Sequence, residues 1–409
     1  MKDKKKTDII IYIVTIVLSV LFIVLGNKIV TGKESLVGYE DDGTEILKVV
    51  VTKVSPTEEN ADSWNGYTEK VTFFEGQVIS GAKKGQTVVA VQQNDDYFNP
   101  DAETVKLKDK VILNSNSYID GADYIMTDYA RSDYMIFLMA LFCVSLVIFG
   151  RFKGFSTLIS LAFTVASVIF IFIPGILHGA NIYVTAFAVC VYMIVMTLVI
   201  VSGINKKCLC AIIGCTFGTM TIAAIYFISD AIINLTGYLN DTSIYIHMLN
   251  NENPIDLKAI IFGSILVGAV GAVMDVAMSL SSSLYELYNE IENPTFGVLM
   301  RSGMNIGRDM MGTMSNTLIL AYIGNSLPVL LMMIATVSSS MDFFNRELIV
   351  VEMLKSLSGS LGILLTIPLT SFVCSAIYCG NRRKKNDSSE EPGSFSGDPF
   401  SEENVKKFM

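Results

Sequence analysis

The sequence predicts an α-helical polytopic membrane protein of about eight transmembrane helices, carrying a small extracytoplasmic β-rich domain. Three observations predict this class. Several apolar runs reach the roughly 20 residues that a helix needs to cross about 30 Å of hydrocarbon. Only 17% of the 409 residues are charged and 51% are hydrophobic, where a soluble domain carries about 25% charge. One region, residues 27–132, breaks the pattern with short β-branched runs.

The chain opens on a basic cluster over Lys2–Lys6, followed by an apolar run over Ile9–Gly26. No cleavage pattern follows it, so residues 1–26 read as a cytoplasmic basic end and an uncleaved first helix. Lys and Arg stay on the cytoplasmic side. The first helix therefore runs outward, and residues 27–132 lie outside.

In that region Ile46–Val54, Lys70–Ile79 and Gln86–Gln92 alternate in part and are rich in Val, Ile and Phe, the signature of short strands. Gly81-Ala-Lys-Lys-Gly85 makes a turn, and Val105–Leu113 adds a strand with a turn at Lys108–Lys110. Four to five short strands predict a small β-barrel or sandwich, an OB-like barrel being one such form. Residues 27–133 carry 19 acids and 11 bases, and the whole chain has a net charge of −9. Nucleic acid is therefore not an expected partner; the lipid bilayer is, and the exported region is the surface for a protein partner. The only tryptophan, Trp64, sits in a loop there and is a weak cue for ligand binding.

Residues 133–381 hold seven further apolar runs. The second and third spans are Asp133–Phe149 and Phe155–Ile173, joined by the basic turn Gly150-Arg-Phe-Lys-Gly154 and ended by Pro174. Val184–Val201 and Cys208–Ile233 follow, with Lys206-Lys207 marking the cytoplasmic side between them. The sixth span is Leu257 to about Ser281, extended by Ser282–Glu292. Pro294 suits the first turn of a new helix, expected to lie flat on the inner leaflet through Phe296, Val298, Leu299 and Met304. The seventh span is about Met310–Ile334, bent at Pro328. The eighth is about Leu348–Ile377, in which Glu352 and Lys355 can pair at helical spacing, and Arg382–Lys385 closes it on the inside. Both termini are then cytoplasmic. The tail, residues 382–409, is acidic and rich in Ser, Gly and Pro beyond the basic group, a composition that stays disordered.

Chemistry-bearing residues are sparse. All seven cysteines lie in apolar runs or at their ends; Cys208-Leu-Cys210 lacks the spacing of a zinc knuckle. His178 and His247 stand alone in loops. No metal and no cofactor is expected.

One stretch stands out. Ser264, Gly268, Gly271, Asp275, Ser279, Ser282 and Glu286 step by three or four, so they share a helix face. The next run repeats the grammar with Asn305, Arg308, Asp309, Gly312 and Asn316. A carboxylate within a span costs about 2.5–3.5 kcal/mol on insertion scales. It needs a partner, a wet cavity or a role. The reading is a polar seam for ions or substrate through Asp275, Ser279, Ser282, Glu286, Asn305, Arg308, Asp309 and Asn316. The plainer reading is helix packing through small and polar residues.

Gly271-Ala-Val-Met-Asp-Val-Ala-Met-Ser-Leu280 and Ser302-Gly-Met-Asn-Ile-Gly-Arg-Asp-Met-Met-Gly-Thr-Met-Ser-Asn-Thr-Leu-Ile-Leu-Ala-Tyr322 resemble the YibE/F-like family of bacterial multispanning proteins. The resemblance implies this membrane architecture with an exported β-rich domain, in a bacterial cell membrane, and transport as the usual guess at function. The stretch Val147–Phe163 is more distantly similar to spans of SecD/SecF proteins of the proton-driven RND superfamily. That likeness implies a proton-coupled aspartate at Asp275, although the Asn-Asp-Thr signature is missing here, since Val276-Ala277 follows Asp275.

Three functions remain open. In a transporter or export-assisting protein, Asp275 would accept a proton or cation, with Arg308 and Asp309 gating the mouth. A non-transporting scaffold or partner subunit would use the seam for packing and the exported domain for binding. An aspartyl intramembrane protease would need a Gly-x-Gly-Asp context, but Asp309 follows Gly307-Arg308; an enzyme is not expected.

Overall fold

The computed structural model describes residues 2–31, 45–61, 68–95, 103–115, 121–248, 254–292 and 294–387. Trp64, Asn293 and the tail from Ser388 lie outside the described residues. By internal packing the chain divides into Val37–Phe149 and a second unit of Met1–Leu36 with Gly150–Met409.

In the first unit, β1 (Leu47–Val54), β2 (Glu58–Ala61), β3 (Thr68–Val78), β4 (Thr87–Asp95), β5 (Lys110–Ser115) and β6 (Tyr124–Tyr129) form one sheet. The order is β1-β5-β6-β4-β3-β2, and β1 also pairs with β3. Five strands therefore close into a ring, with β2 appended to β3. This is the barrel form of the two expected forms. Closure leaves only β2 as an edge, which limits edge-to-edge association. Alternate residues fill the inside: Val49, Val51, Phe74, Ala90, Val111 and Leu113 are buried. The strands expected from β-branched runs are β1, β3, β4 and β5. Neither β2 (Glu-Glu-Asn-Ala) nor β6 (Tyr-Ile-Met-Thr-Asp-Tyr) reads as a strand locally. Pairing with neighbours creates both.

The unit's last stretch is the first part of α2 (Ser132–Ser167). Asp133, at the start of α2, receives Lys48 at 2.5 Å and Lys110 at 2.7 Å.

Among the described residues, seven helical segments are long and apolar enough to cross a membrane. The expected second and third spans fall in one helical segment. It runs through α2, a π-turn (Val168–Phe172) and α3 (Ile173–Leu177) and is broken at Arg151, whose φ of 52° and ψ of −128° are non-helical. The break falls within the basic turn Gly150-Arg-Phe-Lys-Gly154, so two helices meet there, as the sequence predicts. At 46 residues and 1.5 Å rise, the segment is still about twice the length of one crossing. Pro174 opens α3 rather than ending the span, since a first turn loses no hydrogen bond to proline.

The remaining helices are α1 (Lys2–Thr31), α4 (Ile182–Ser202), α5 (Lys206–Ile233), α6 (Asp241–Met248), α7 (Leu257–Glu290), α8 (Phe296–Thr336), α9 (Ser340–Asn345) and α10 (Glu347–Asp387). Asn181, Asn205, Asp256 and Thr295 cap α4, α5, α7 and α8, each side chain accepting a first-turn N–H. α1 docks on the π-turn: Asn27 Nδ2 donates to Phe170 O at 2.6 Å, and Phe22 stacks on Tyr192 of α4 at 4.1 Å. A π-turn frees a carbonyl from the helical ladder, and Asn27 satisfies it.

The core of this unit is built around α10, which packs against α5, α7 and α8. Small residues set the approach. A Cβ added at Gly214 or Gly218 of α5 would collide with Thr370 or Thr366, and one at Gly303 or Gly307 of α8 with Ser371 or Ile367. Ser360, Thr366, Ser371 and Ser375 are buried and donate to carbonyls four residues back at 2.7–2.9 Å. Each hydroxyl is satisfied within its own helix, so the polar atoms carry no desolvation debt and the backbones can close in.

The expected flat helix before the seventh span is not separate. α8 is one helix of 41 residues, capped by Thr295 and passing through Pro328. Gly303 and Gly307, two turns that read as amphipathic surface, are buried against α10. That packing holds the helix continuous where local sequence suggests a boundary.

Candidate functional site on the α7 and α8 pair

α7 and α8 are joined by a short connection and run antiparallel. Three contacts set their register. Leu284 lies against Gly303, Ala269 and Leu318 both lie against Gly359, and the Tyr322 hydroxyl lies beside Gly268. In this register Glu286 is level with Arg301, Ser282 with Asn305, Ser279 with Arg308, Asp275 with Gly312, and Gly271 with Asn316. The eight residues singled out by spacing therefore align along one helix pair.

They do not lie inside the bundle. Asp275, Ser279, Glu286, Asn305, Arg308, Asp309 and Asn316 are exposed, and Ser282 is half-buried. The reason is the rest of α7. Its other faces are almost wholly apolar, with Ile265, Leu266, Val273, Val276, Ala277 and Leu280 buried among α4, α5 and α10. The polar stripe is what remains outside. None of the eight side chains forms a hydrogen bond or ion pair with a described residue. Arg308 and Asp309 thus meet neither Glu286 nor Arg301. Gly271 and Gly312 face open space, since an added Cβ would touch nothing within 4 Å. Of the stripe's glycines, only Gly268 has a close neighbour on the facing helix. Packing within the chain does not account for the rest.

A second polar group sits deeper, between α8 and α10. Lys355 Nζ donates to Glu352 Oε1 at 2.7 Å, as the helical spacing predicted. Ser326 Oγ of α8 donates to Glu352 Oε2. The Lys355 and Glu352 side chains are only 20% and 18% exposed. The Tyr322 hydroxyl is buried with no hydrogen-bond partner. Tyr322, Ser326, Glu352 and Ser356 line a cavity of about 210 Å³ whose other walls are Ile, Leu and Met. Sequence reasoning found the pair on α10 but not its partners on α8. Their signal is the step of four from Leu318 through Tyr322 to Ser326, which keeps these residues on one side of α8, where Leu318 meets Gly359 and Ser326 meets Glu352 of α10.

The barrel has a cleft of its own. β4 and β6 run parallel and pair only at Ala90–Tyr124 and Val91–Ile125. Beyond that they part around a polar cavity of about 560 Å³, lined by Gln92, Asn94, Met126, Asp128, Tyr129 and Arg131 among others. Gln92 holds the neighbouring segment, donating to Glu103 O at 3.1 Å and accepting from Val105 N at 2.8 Å. Lys83 bridges Glu45 at 2.5 Å and Tyr124 at 3.0 Å. Glu45 is held below its ordinary value by the Lys83 and Tyr124 hydrogen bonds.

The cysteines are free; Cys190, Cys208, Cys210, Cys215 and Cys374 are buried. His178 and His247 meet the carbonyls of Pro174 and Ile255. Among the described residues no group of three or more His, Cys, Asp or Glu side chains is arranged to hold a metal.

Comparison with curated proteins and with solved structures returns no match. The family model described as YibE/F-like protein matches residues 138–380, which include α4 to α9, the polar stripe and the Glu352 group but not the barrel. With more than half of its length matched, the chain belongs to the YibE/F-like family.

Proposed function

We propose that this YibE/F-like protein is a multi-pass protein of a bacterial cell membrane, with both termini cytoplasmic and the barrel outside. In this reading it acts in ion- or proton-coupled transport or assists export, without enzymatic chemistry of its own. The polar stripe of α7 and α8 is the path. The observation that carries the reading is the alignment of eight polar residues on a face that the chain itself leaves uncovered. Ser281 Oγ donates to Lys207 O at 2.7 Å, and Lys206-Lys207 marks the cytoplasmic side in this topology. Asp275 is six residues further along α7, about 9 Å into the hydrocarbon at 1.5 Å per residue. A lone carboxylate there is costly, so water, a passing cation or a neighbouring chain must meet it. Arg308 and Asp309 are level with Ser279 and Met278, closer to the cytoplasmic surface, where they suit a mouth.

Asp275→Asn, reconstituted in proteoliposomes beside the wild type, tests this through proton and Na⁺ flux. Loss of coupled flux is expected. Unchanged flux removes Asp275 from the mechanism.

A non-transporting scaffold or partner subunit is the second reading, favoured by the same exposure and by the cleft between β4 and β6. There, Asp275→Ala would leave function intact while a fixed partner copurifies through residues 27–132.

A further inference from the structure

The polar stripe of α7 and α8 differs from a face made for lipid. α1 turns Ile10, Ile13, Val17 and Leu21 outward. On α7 no large apolar side chain is exposed among the described residues, and on α8 none is exposed between Val298 and Leu320. These two helices show Gly, Ser, Thr, Asn and charge instead. Charged side chains at membrane depth pair with one another or line water. Gly271 and Gly312 leave room for a neighbouring backbone, since a Cβ added at either would touch nothing within 4 Å.

The charges on this face say what would match it. Arg301 is level with Glu286, and Arg308 stands beside Asp309; all four are exposed. Neither couple forms an ion pair within the chain, so both signs stand unpaired at each of these two depths. The other spans cannot supply the complement. Ile9–Gly26, Tyr134–Phe149, Phe155–Ile173, Val184–Val201 and Cys208–Ser229 carry no charged residue, and on α10 Glu352 and Lys355 engage each other. In this sequence the surface that matches the stripe is therefore the stripe of a second copy. Copies inserted in the same orientation are related by an axis along the membrane normal. A twofold of that kind keeps every residue at its own depth and makes each contact reciprocal. The size is sufficient. From Ser264 to Glu286 the stripe is about 33 Å long at 1.5 Å per residue, and two helices of about 10 Å make it about 20 Å wide. That is about 650 Å² per copy and about 1,300 Å² for the pair, within the range of specific, stable interfaces.

We propose that two copies of this chain pair in the membrane through their α7–α8 stripes, about a twofold axis along the membrane normal, with Arg308 of each copy against the partner's Asp309. Nearer the cytoplasmic surface, Arg301 meets the partner's Glu286 in the same way. Between Ser264 and Glu286 and over Arg301–Asn316 the face holds three acids, Asp275, Glu286 and Asp309, and two bases, Arg301 and Arg308. Asp275 is thus the one charge without an opposite number. It lies at the depth of Gly312, where the glycines keep the interface open. Pairing closes the stripe against lipid and leaves room beside the two Asp275 side chains. That ions use this room rests on the function proposed above; the pairing does not.

The test uses the purified full chain in liposomes, at a density low enough that chance encounters are rare. Gly271→Cys and Gly312→Cys each add a thiol where the chain itself has no atom within 4 Å. The wild type, with its seven native cysteines, is the blank, and Leu21→Cys on α1 marks a face made for lipid. A short thiol–thiol cross-linker is expected to give a covalent dimer from the glycine positions and none from the blank or from Leu21→Cys. The charges give a second readout, by stepwise photobleaching of chains carrying one terminal fluorophore each. Arg308→Asp and Asp309→Arg each set like charge against like in a self-pair, so paired particles should fall about fivefold or more. Mixed together, the two variants restore opposite contacts and the pairs return, a rescue that a misfolded chain cannot give. Elution profiles check the fold of every variant. Glycine positions that cross-link no better than Leu21→Cys, or a mixture that pairs no better than either variant alone, overturn the pairing and leave the stripe to water or to a different protein. Neither readout needs flux. Asp275→Asn with unchanged flux and an intact cross-link would remove the path alone, and coupled flux in a wild type that never cross-links would remove the pairing alone.

Discussion

Gly218→Ala tests whether α5 and α10 touch as closely as described. A Cβ there would run into Thr366 Oγ1, with Val273 Cγ1 at 3.0 Å and Thr366 Cβ at 3.2 Å. Thr366 has little freedom to yield: it is fully buried, and its hydroxyl donates to Gly362 O at 2.7 Å. Overpacking a closed core in this way costs about 1–3 kcal/mol. Thr366→Ala removes the colliding oxygen and a methyl group, a loss of about 1 kcal/mol by the methylene scale. The Gly362 carbonyl keeps its helical partner, so that loss does not grow. Combined, the two changes relieve each other, because the oxygen that collides is gone. The expected coupling is about 1–2 kcal/mol in favour of the double variant, within the range measured for contacting residues. Reversible unfolding of the four proteins in one detergent closes the cycle. Additivity within about 0.3–0.5 kcal/mol, or a Gly218→Ala protein as stable as the wild type, refutes the packing argument.

Two further outcomes follow from the outer parts of each unit. Glu45 is depressed below 4.5 by Lys83 and Tyr124, so its contribution is present above 4.5 and lost as pH falls through the lowered value. Lys83 is raised above 10.5, chiefly by Glu45 and then Tyr124, so its contribution is present below 10.5 and lost as pH rises through the raised value. Lys83→Met therefore flattens the acid limb of barrel stability, read by fluorescence of Trp64, the only tryptophan; an unchanged limb refutes the pairing. Glu347 accepts from Thr236 N at 2.6 Å, Gly237 N at 2.7 Å and Thr236 Oγ1 at 2.6 Å. Glu347→Ala leaves two backbone N–H groups without this acceptor, so amide exchange at 236 and 237 should quicken about tenfold or more, the equivalent of about 1.4 kcal/mol; unchanged protection counts against the clamp.

Much of the fold is legible in local pattern. The ends of α4 and α5 fall within two residues of their apolar runs, because caps Asn181 and Asn205 and the turn at Gly203 stand beside them. β1, β3, β4 and β5 follow from β-branched alternation. The polar stripe also follows from spacing, and the helix pair aligns it as the period requires. What spacing cannot tell is which way the stripe faces. Asp275 would read the same whether turned toward α10 or away from it. Only the larger apolar area on the opposite side of α7 turns it outward.

The boundary before the seventh span was illegible for a similar reason. Asn305, Arg308 and Asp309 look like the end of a surface helix, while Gly303 and Gly307 look like breaks in it. Against Ser371 and Ile367 the same glycines become the tightest contacts of a continuous helix.

By itself the sequence determined what each segment could become. Apolar length set the helices, β-branched alternation set most strands, and caps set the ends, since all of these depend on neighbours within about one turn. Tertiary structure alone decided the closed barrel, which needs β1 on β3 and β4 on β6. It also decided the role of α10 as the central helix and the meeting of Ser326 with Glu352. Those contacts join residues tens of positions apart, and only the fit of one complete surface against another selects them.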